Sequence, residues 1–372
     1  MKRRTKGILS ALIVLAVMLS CLPARAGDAW EQAIGPREWR FPRDHGDHRQ
    51  FKTEWWYFTG NLVDAAGNRY GYQLTFFRHG IRQAVPPPRN SWSLRDVYPA
   101  HFAVTDSTRS KFFFTDRISR SGPGLAGSQE GRMNVWNLNW FARMEQEEIR
   151  IRARHGQTEL DLTLRPGKPP VLHGQNGLSR KGPRAGQASY YYSFTDLKTA
   201  GRLKTAQTGR TVEVRGTSWF DHEFGSNTLA KDQTGWDWFS LHFSDGRELM
   251  IYLLRKRDGT LEKESSGTLV EADGTYRHLG LSEIAVNVLG TWHSRKTGGR
   301  YPNSWQIDVP AAGLSFRLAP SLQDQELTTE GSTGINYYEG AVEGRGVSKK
   351  QAVTCEGYIE MTGYAGSIGG LF

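Results

Sequence analysis

The 372-residue sequence predicts an all-β protein, with antiparallel strands closed into barrels or half-barrels in two tandem domains. Three observations carry this. Short runs of alternating apolar and polar residues are separated by turn residues. Tryptophan and glycine are abundant, at 12 and 42 residues, as suits strands joined by tight turns. A strand–turn–strand pattern built on tryptophan occurs twice. Helical periodicity is scarce. "LSEIAVNVL" (Leu281–Leu289) is apolar enough for helix or strand, and both stay open.

The N-terminus reads as an export signal over residues 1–26. "MKRRTKG" is basic, "ILSALIVLAVMLSCL" is an apolar run of about 15 residues, short for a membrane span, and "ARA" (Ala24–Ala26) is a small-x-small cleavage pattern. A mature start at Gly27 places the protein in the periplasm or outside the cell. Lipid attachment at Cys21 is the weaker alternative, because Met18-Leu19-Ser20 lacks the usual small residues. Cleavage removes Lys2, Arg3, Arg4, Lys6 and Arg25 and no acid, so the formal charge falls from +10 to 10 − 5 = +5. The remaining excess is dispersed, which argues against a nucleic-acid partner. One cysteine is left, Cys355, so the core alone holds the fold.

After an extension over residues 27–44, the first domain is expected over 45–228 and the second over 229–372. "WWYFTGNLVDAAGNRYGYQL" (Trp55–Leu74) aligns with "WDWFSLHFSDGRELMIYL" (Trp236–Leu253): Tyr57 meets Trp238, Phe58 meets Phe239 and Asp64 meets Asp245. "DG" and "DAAGN" are the hairpin turns. Alternation puts Trp236, Trp238, Ser240 and His242 on one face, and Trp55, Tyr57, Thr59 and Asn61 on its counterpart. That aromatic–polar face suits a cavity wall. The apolar face, Phe239, Leu241 and Phe243, suits packing outside or between domains. The Pro/Gly-rich stretch Leu164–Gly186 reads as a long functional or mobile loop, and the domain boundary as Gly225–Gly235.

Titratable groups cluster in "GTSWFDHEFGS" (Gly216–Ser226), where Asp221, His222 and Glu223 stand among aromatics. In a strand, Asp221 and Glu223 share a side and His222 faces away. A latch between domains, a ligand-facing patch and a catalytic site are all open for this trio. Asp237 lies between Trp236 and Trp238. Glu54 adjoins Trp55 and Trp56, and a strand-end pairing with Arg78 or Lys52 is as good a reading of it. In "SYYYSFT", Tyr190 and Tyr192 share a face suited to orienting a head group. "DHGDH" (Asp44–His48) lacks further ligands nearby in sequence, so it reads as a segment pinned to the barrel near Glu54 rather than a metal site; no cofactor is expected. No strand–Gly-loop–helix context cradles a nucleotide, and "GTSWF" lacks the G-x-S-x-G of a nucleophile elbow.

"FPRDHGDHRQFKTEWWYFTGNL", "SYYYSFTDLKTAGRL", "GTSWFDHEFGS", "WDWFSLHFSDGRELMIYLLR", "YYEGAVEGRG" and "GYIEMTGY" occur in the order found in the hydroxyneurosporene synthase (carotenoid 1,2-hydratase)/AttH family. The chain resembles that family over nearly its whole mature length. The resemblance implies tandem lipocalin/calycin-like antiparallel β-barrels. It implies an exported protein that binds an extended apolar ligand, isoprenoid or lipid, as a periplasmic component associated with an ABC transporter. The alternative is a carotenoid 1,2-hydratase-like lyase that adds water to an isoprenoid double bond by acid catalysis. Such a lyase needs a carboxyl kept protonated in an apolar pocket and π faces around a carbocation. Asp221 or Glu223 would be the acid, His222 its partner or the base, and Asp237 the reserve acid. Trp219, Trp236 and Trp238 would face the cation, in the mouth of a barrel. Glu54, Trp55, Tyr57, Tyr190, Tyr192 and His242 complete the expected ligand contacts. An enzyme predicts a protonated carboxyl inside a dry cavity; a carrier predicts an open groove with acids at its rim.

Overall fold

The computed structural model describes residues 29–83, 92–226 and 229–369. The expected export signal, with Cys21, lies outside them. Among the described residues no helix is long and apolar enough to cross a membrane.

The first sheet begins with a meander of β1 (Thr53–Asp64), β2 (Arg69–Gly80), β3 (Asp96–Asp106) and β4 (Lys111–Arg120). A second meander follows: β5 (Ala126–Ser128), β6 (Asn134–Asn137), β7 (Trp140–Glu145), β8 (Glu148–His155) and β9 (Thr158–Pro166). Short β10 (Val171–Leu172) and β11 (Leu178–Arg180) lead to the long β12 (Ala188–Lys204) and β13 (Thr211–Gly225). β13 pairs with β1 along its length, so the order is β4-β3-β2-β1-β13-β12-β9-β8-β7-β6-β5. β5 comes back beside β3 and β4, which makes this a nearly closed antiparallel barrel.

The second sheet is a half-barrel. Its strands are β14 (Gln233–Phe243), β15 (Glu248–Lys256), β16 (Ser266–Val270), β17 (Tyr276–Gly280) and β18 (Ala285–His293). They continue as β19 (Arg300–Val309), β20 (Leu314–Pro320), β21 (Glu326–Thr328), β22 (Asn336–Ser348) and β23 (Gln351–Thr362). The order is β17-β16-β15-β14-β23-β22-β20-β19-β18. Leu281–Leu289 divides between a 3-10 turn, Leu281–Glu283, and the start of β18.

The repeated hairpins occupy equivalent places, β1 between β2 and β13, β14 between β15 and β23. Their turns explain the sequence. Gly67 and Gly246 sit at φ +81° and +83°, where a Cβ is strained. Asp64 Oδ1 accepts the amides of Ala66 and Asn68 at 2.9 Å, which closes the longer loop.

Packing reverses one expectation. The apolar faces point inward: Trp56, Phe58 and Phe220 help fill the first barrel, and Phe239, Leu241 and Ile359 the second. Both interiors are occupied by their own side chains, so the cavity is not in a barrel mouth. A small barrel is narrow enough for its side chains to fill. The aromatic–polar faces turn toward each other instead. Tyr57, Trp219, Trp238 and Tyr252 form one cluster between the barrels, with Trp55 and Trp236 against it.

The stretch expected as a free loop is tied down. β10 and β11 pair with β12, and Lys168 reaches the second sheet, 2.8 Å from Glu248. The segment before β1 covers one end of the first barrel, where Ala33 and Phe51 pack on Tyr190 and Phe224.

Candidate functional site between the barrels

Alternation along β13 sends Trp219, Asp221 and Glu223 toward the second barrel, and Phe220, His222 and Phe224 toward the first. A cleft opens where the two aromatic faces meet. It encloses about 1390 Å³, counting its solvent-open mouth. Trp55, Tyr57 and Tyr191 line it from one barrel, Trp236, Trp238 and Tyr252 from the other. Rings lie edge to face across the junction: Tyr57 and Trp238 centroids are 5.1 Å apart, a favourable geometry.

Besides Glu54, whose carboxyl is engaged inside the first barrel, four carboxyls share this wall: Asp221, Glu223, Glu339 and Glu360. Asp221 Oδ1 accepts from Trp219 Nε1 at 2.5 Å and from the Ser193 hydroxyl; Oδ2 accepts from the Tyr191 hydroxyl at 2.7 Å. Burial nevertheless pushes its pKa up to about 7, against those donors. Glu223 pairs with Lys181 at 3.0 Å and accepts from Ser189. Glu360 is pushed up to about 7 by burial and by the charges of Asp221 and Glu223, although Trp236 Nε1 donates to it at 3.1 Å.

Glu339 is the most confined. It is fully buried, and the Tyr57 hydroxyl donates to Oε2 at 2.8 Å. Oε1 has no hydrogen-bond partner. Burial and the Glu360 charge hold its pKa well above the usual carboxylate range. A neutral carboxyl with one free oxygen, among indole and phenol rings, is a proton donor awaiting an acceptor.

His222 belongs to a different assembly, inside the first barrel. Its Nε2 is 2.9 Å from Glu54 Oε1. Glu54 also faces His48 Nδ1 at 2.9 Å and Arg78 Nε at 3.0 Å. His48 Nε2 faces Asp44 Oδ1 at 3.1 Å. Burial alone would raise the Glu54 pKa, but bonds from His222 and His48 and the Arg78 charge hold it well below the usual range. "DHGDH" is thus pinned to the barrel through Glu54. His48, Glu54 and His222 lie close enough together to hold a metal ion, but the donor chemistry does not fit one. Both ring nitrogens of His48 face carboxylate oxygens and so carry protons, leaving no lone pair for a metal. The Arg78 guanidinium occupies the remaining side of Glu54.

Other expected residues are placed elsewhere. Asp237 is on the opposite face of β14 from the cleft, in an ion pair with Arg255 at 3.1 Å and a bond from Tyr364. Tyr190 and Tyr192 point away from the cleft: the Tyr190 hydroxyl donates to the Gly35 carbonyl, and Tyr192 lies 2.7 Å from His45. Tyr191, on the other side of β12, is the cleft residue. His242 bonds the Thr195 carbonyl at 2.6 Å and joins the barrels rather than lining the cleft. Trp219 stands behind Asp221. Glu54 is among the residues that line the cleft, but its carboxyl is bonded to Arg78, His48 and His222.

Sequence reasoning overlooked Glu339, Glu360, Lys181 and His101. The first two lie in "YYEGAVEGRG" and "GYIEMTGY", where alternation groups Glu339 with Tyr337 and Glu360 with Tyr358; the two glutamates are cross-strand neighbours. No such signal marks His101, which meets Tyr337 at 2.6 Å only because β3 approaches β22.

A family model described as AttH-like matches residues 32–364. A solved structure assigned to AttH (NE1406), from Nitrosomonas europaea, is 32% identical over 90% of this chain and 99% of that one, with a TM-score of 0.79. Kievitone hydratase from Nectria haematococca aligns at 16% identity over 91% of this chain and 97% of its own, TM-score 0.67. CghA, solved with Sch210972, aligns at 13% over 85% and 89%, TM-score 0.53. The last two likenesses are of fold alone. No curated protein matches the sequence. The family match and the 32% identity together assign the chain, with its lipocalin-like fold, to the AttH-like family.

Proposed function

We propose that the chain binds an apolar alkene, isoprenoid or lipid, between its barrels and adds water across a carbon–carbon double bond. The observation that carries this reading is Glu339: fully buried, held neutral, and bonded through one oxygen only. Its proton passes to an alkene carbon, leaving a carbocation on the neighbouring carbon. The faces of Trp238, Trp55 and Tyr57 surround that cation without offering a nucleophile as strong as water. Water attacks, and its surplus proton goes to Asp221, whose pKa near 7 suits a base at neutral pH. One bond to hydrogen and one to oxygen form, and the enzyme has moved one proton from Glu339 to Asp221.

The acids sit within the cleft wall rather than at a rim, which favours turnover over carriage. Simple carriage gives no reason to gather four carboxyls among aromatic rings at the cost of their burial. One structural neighbour carries the name of a hydratase, which agrees with this reaction class.

Incubation with a panel of isoprenoid alkenes in heavy-oxygen water tests the reading. The wild type should yield alcohol carrying the label, and Glu339→Gln should yield none. Unlabelled, unchanged alkenes throughout the panel would overturn it. We further propose, from the N-terminal sequence, that the chain is exported; a mature protein still bearing residues 1–26 would refute that.

A further inference from the structure

Beside the cleft, His173 links the two barrels through hydroxyl groups on both ring nitrogens. Its Nε2 lies 2.6 Å from Ser193 Oγ on β12, and its Nδ1 lies 2.8 Å from Thr268 Oγ1 on β16. Ser193 Oγ in turn bonds Asp221 Oδ1. His173 is 1% exposed and packs against Tyr191 with the rings tilted by 39°, centroid to centroid 4.2 Å. Burial and the nearby charges of Lys181 and His278 disfavour its imidazolium, so it is neutral and carries a single ring proton.

That single proton fixes the direction of the whole row. With Asp221 ionised, Ser193 donates to Asp221. The serine oxygen then accepts from His173 Nε2–H, and Nδ1 accepts from the Thr268 hydroxyl. With Asp221 protonated, every bond reverses: Asp221 donates to Ser193, Ser193 donates to Nε2, and Nδ1–H donates to Thr268. Passing between these states by proton transfer moves one proton along each link. Asp221 gives its proton to Ser193, Ser193 gives its own to Nε2, and Nδ1 gives its own to Thr268. Thr268 gives its own former hydroxyl proton to His278, from which bulk water takes it. Thr268 is the cross-strand neighbour of His278, which is exposed on β17.

We propose that His173 is a positioning residue whose tautomer is locked to the protonation state of Asp221, and that the row Asp221–Ser193–His173–Thr268 carries the proton out of the cleft. The proposal rests on the reading of Asp221 as the acceptor of the water proton. The groups facing Asp221 are Glu223, Tyr191, Ser193, Trp219 and its cross-strand neighbour Tyr57, with Glu339 and Glu360 across the cleft. Those facing His173 are Ser193, Tyr191, Thr268, Lys181 and His278. Tyr191 also touches both, with its hydroxyl on Asp221 and its ring against His173, but only Ser193 hydrogen-bonds both, so Ser193 is the link to remove.

Histidine-selective nitrogen NMR on the intact protein, from about pH 5 to about pH 9, reads the tautomer directly and needs no substrate. His173 should stay neutral and change from Nδ1–H to Nε2–H as pH rises, with a midpoint that coincides with the Asp221 carboxyl titration. Ser193→Ala should leave one tautomer throughout, and Ser193→Thr should restore the change. A tautomer that does not respond to pH, a midpoint unmoved by Ser193→Ala, or a histidine that simply becomes imidazolium would overturn the row. The wild-type titration is decisive even if Ser193→Ala folds poorly. Failure to hydrate any alkene would overturn the proposed reaction and leave the coupling standing.

Discussion

Tyr57 is wedged between two carboxyls from different strands: its hydroxyl donates to Glu339 of the second barrel, while Asp221 is its direct cross-strand neighbour in the first. The bond to Glu339 joins the barrels and fixes the acid. It does not ionise it, because one phenol offsets little of the cost of burying a carboxylate.

That imbalance has a stability consequence. The folded pKa of Glu339 lies well above its unfolded value. Its contribution is therefore fully present below the unfolded glutamate pKa and is lost as pH rises through the folded one. Glu339→Gln removes the titrating group and keeps an oxygen for Tyr57. The variant should melt a few degrees above the wild type at about pH 8 and level with it at about pH 4, while hydrating nothing. Scanning calorimetry at the two pH values checks the crossover; a variant less stable at both would show that Glu339 is ionised and paired.

Tyr191→Phe acts on the other acid. It deletes a donor to Asp221 and the acceptor of Trp238 Nε1, at 2.7 and 3.1 Å. Loss of a hydrogen bond to the anion should raise the Asp221 pKa from about 7 by ~1 unit. The low-pH limb of the pH–rate profile, where Asp221 must lose its proton to act as base, or the carboxyl carbon resonance, should move up with it. An unmoved limb would remove Asp221 from the reaction.

How far the sequence reached follows from the range of each signal. Period-two alternation and the turns at Gly67 and Gly246 are local, so the hairpins and the sharing of a face by Trp236 and Trp238 could be read directly. Which face points inward is decided by what the opposite sheet offers, and a strand carries no record of that. The same limit gave His222 and Tyr192 roles in the cleft: alternation puts them on the far sides of their strands from Asp221 and Tyr191, and which side meets the cleft is not written in the strand. Glu339 and Glu360 stand in recognisable strand patterns, but the importance of Glu339 depends on Tyr57, 282 positions away, and that of Glu360 on Trp236, 124 positions away. His101 and His173 join the site through contacts between barrels and leave no trace in local pattern.

The network under the N-terminal segment should behave as structure, not catalysis. Arg78 is 1% exposed and bonds Glu54, Asp96 and the carbonyls of His48 and Phe51. Arg78→Met leaves Glu54 and Asp96 as buried anions without their partner, at a cost of ~3–5 kcal/mol. Urea unfolding should give a lower midpoint with an unchanged slope. A loss below ~1 kcal/mol would mean that water reaches the network.

Acid sensitivity should come from the histidines between and within the barrels. Burial pushes His101 and His173 down to about 3 and His242 to about 4. A histidine neutral when folded and charged when unfolded stabilises the fold above its unfolded pKa, and that stability drains away as pH falls toward the folded value. His48 has the opposite sign: held charged by Asp44 and Glu54 against the penalty of burial, it favours the fold at low pH and loses its effect as pH rises. His242 separates these contributions cleanly. Its Nε2 bonds the Thr195 carbonyl, and its Nδ1 has no partner. Glutamine can donate the same bond without titrating. His242→Gln should match the wild type at about pH 7.5 and exceed it by ~1–2 kcal/mol at about pH 4, the figure being discounted for partial exposure. Equal acid sensitivity of the two proteins in urea titrations would mean that His242 already has water on its free nitrogen and contributes nothing to the acid limb.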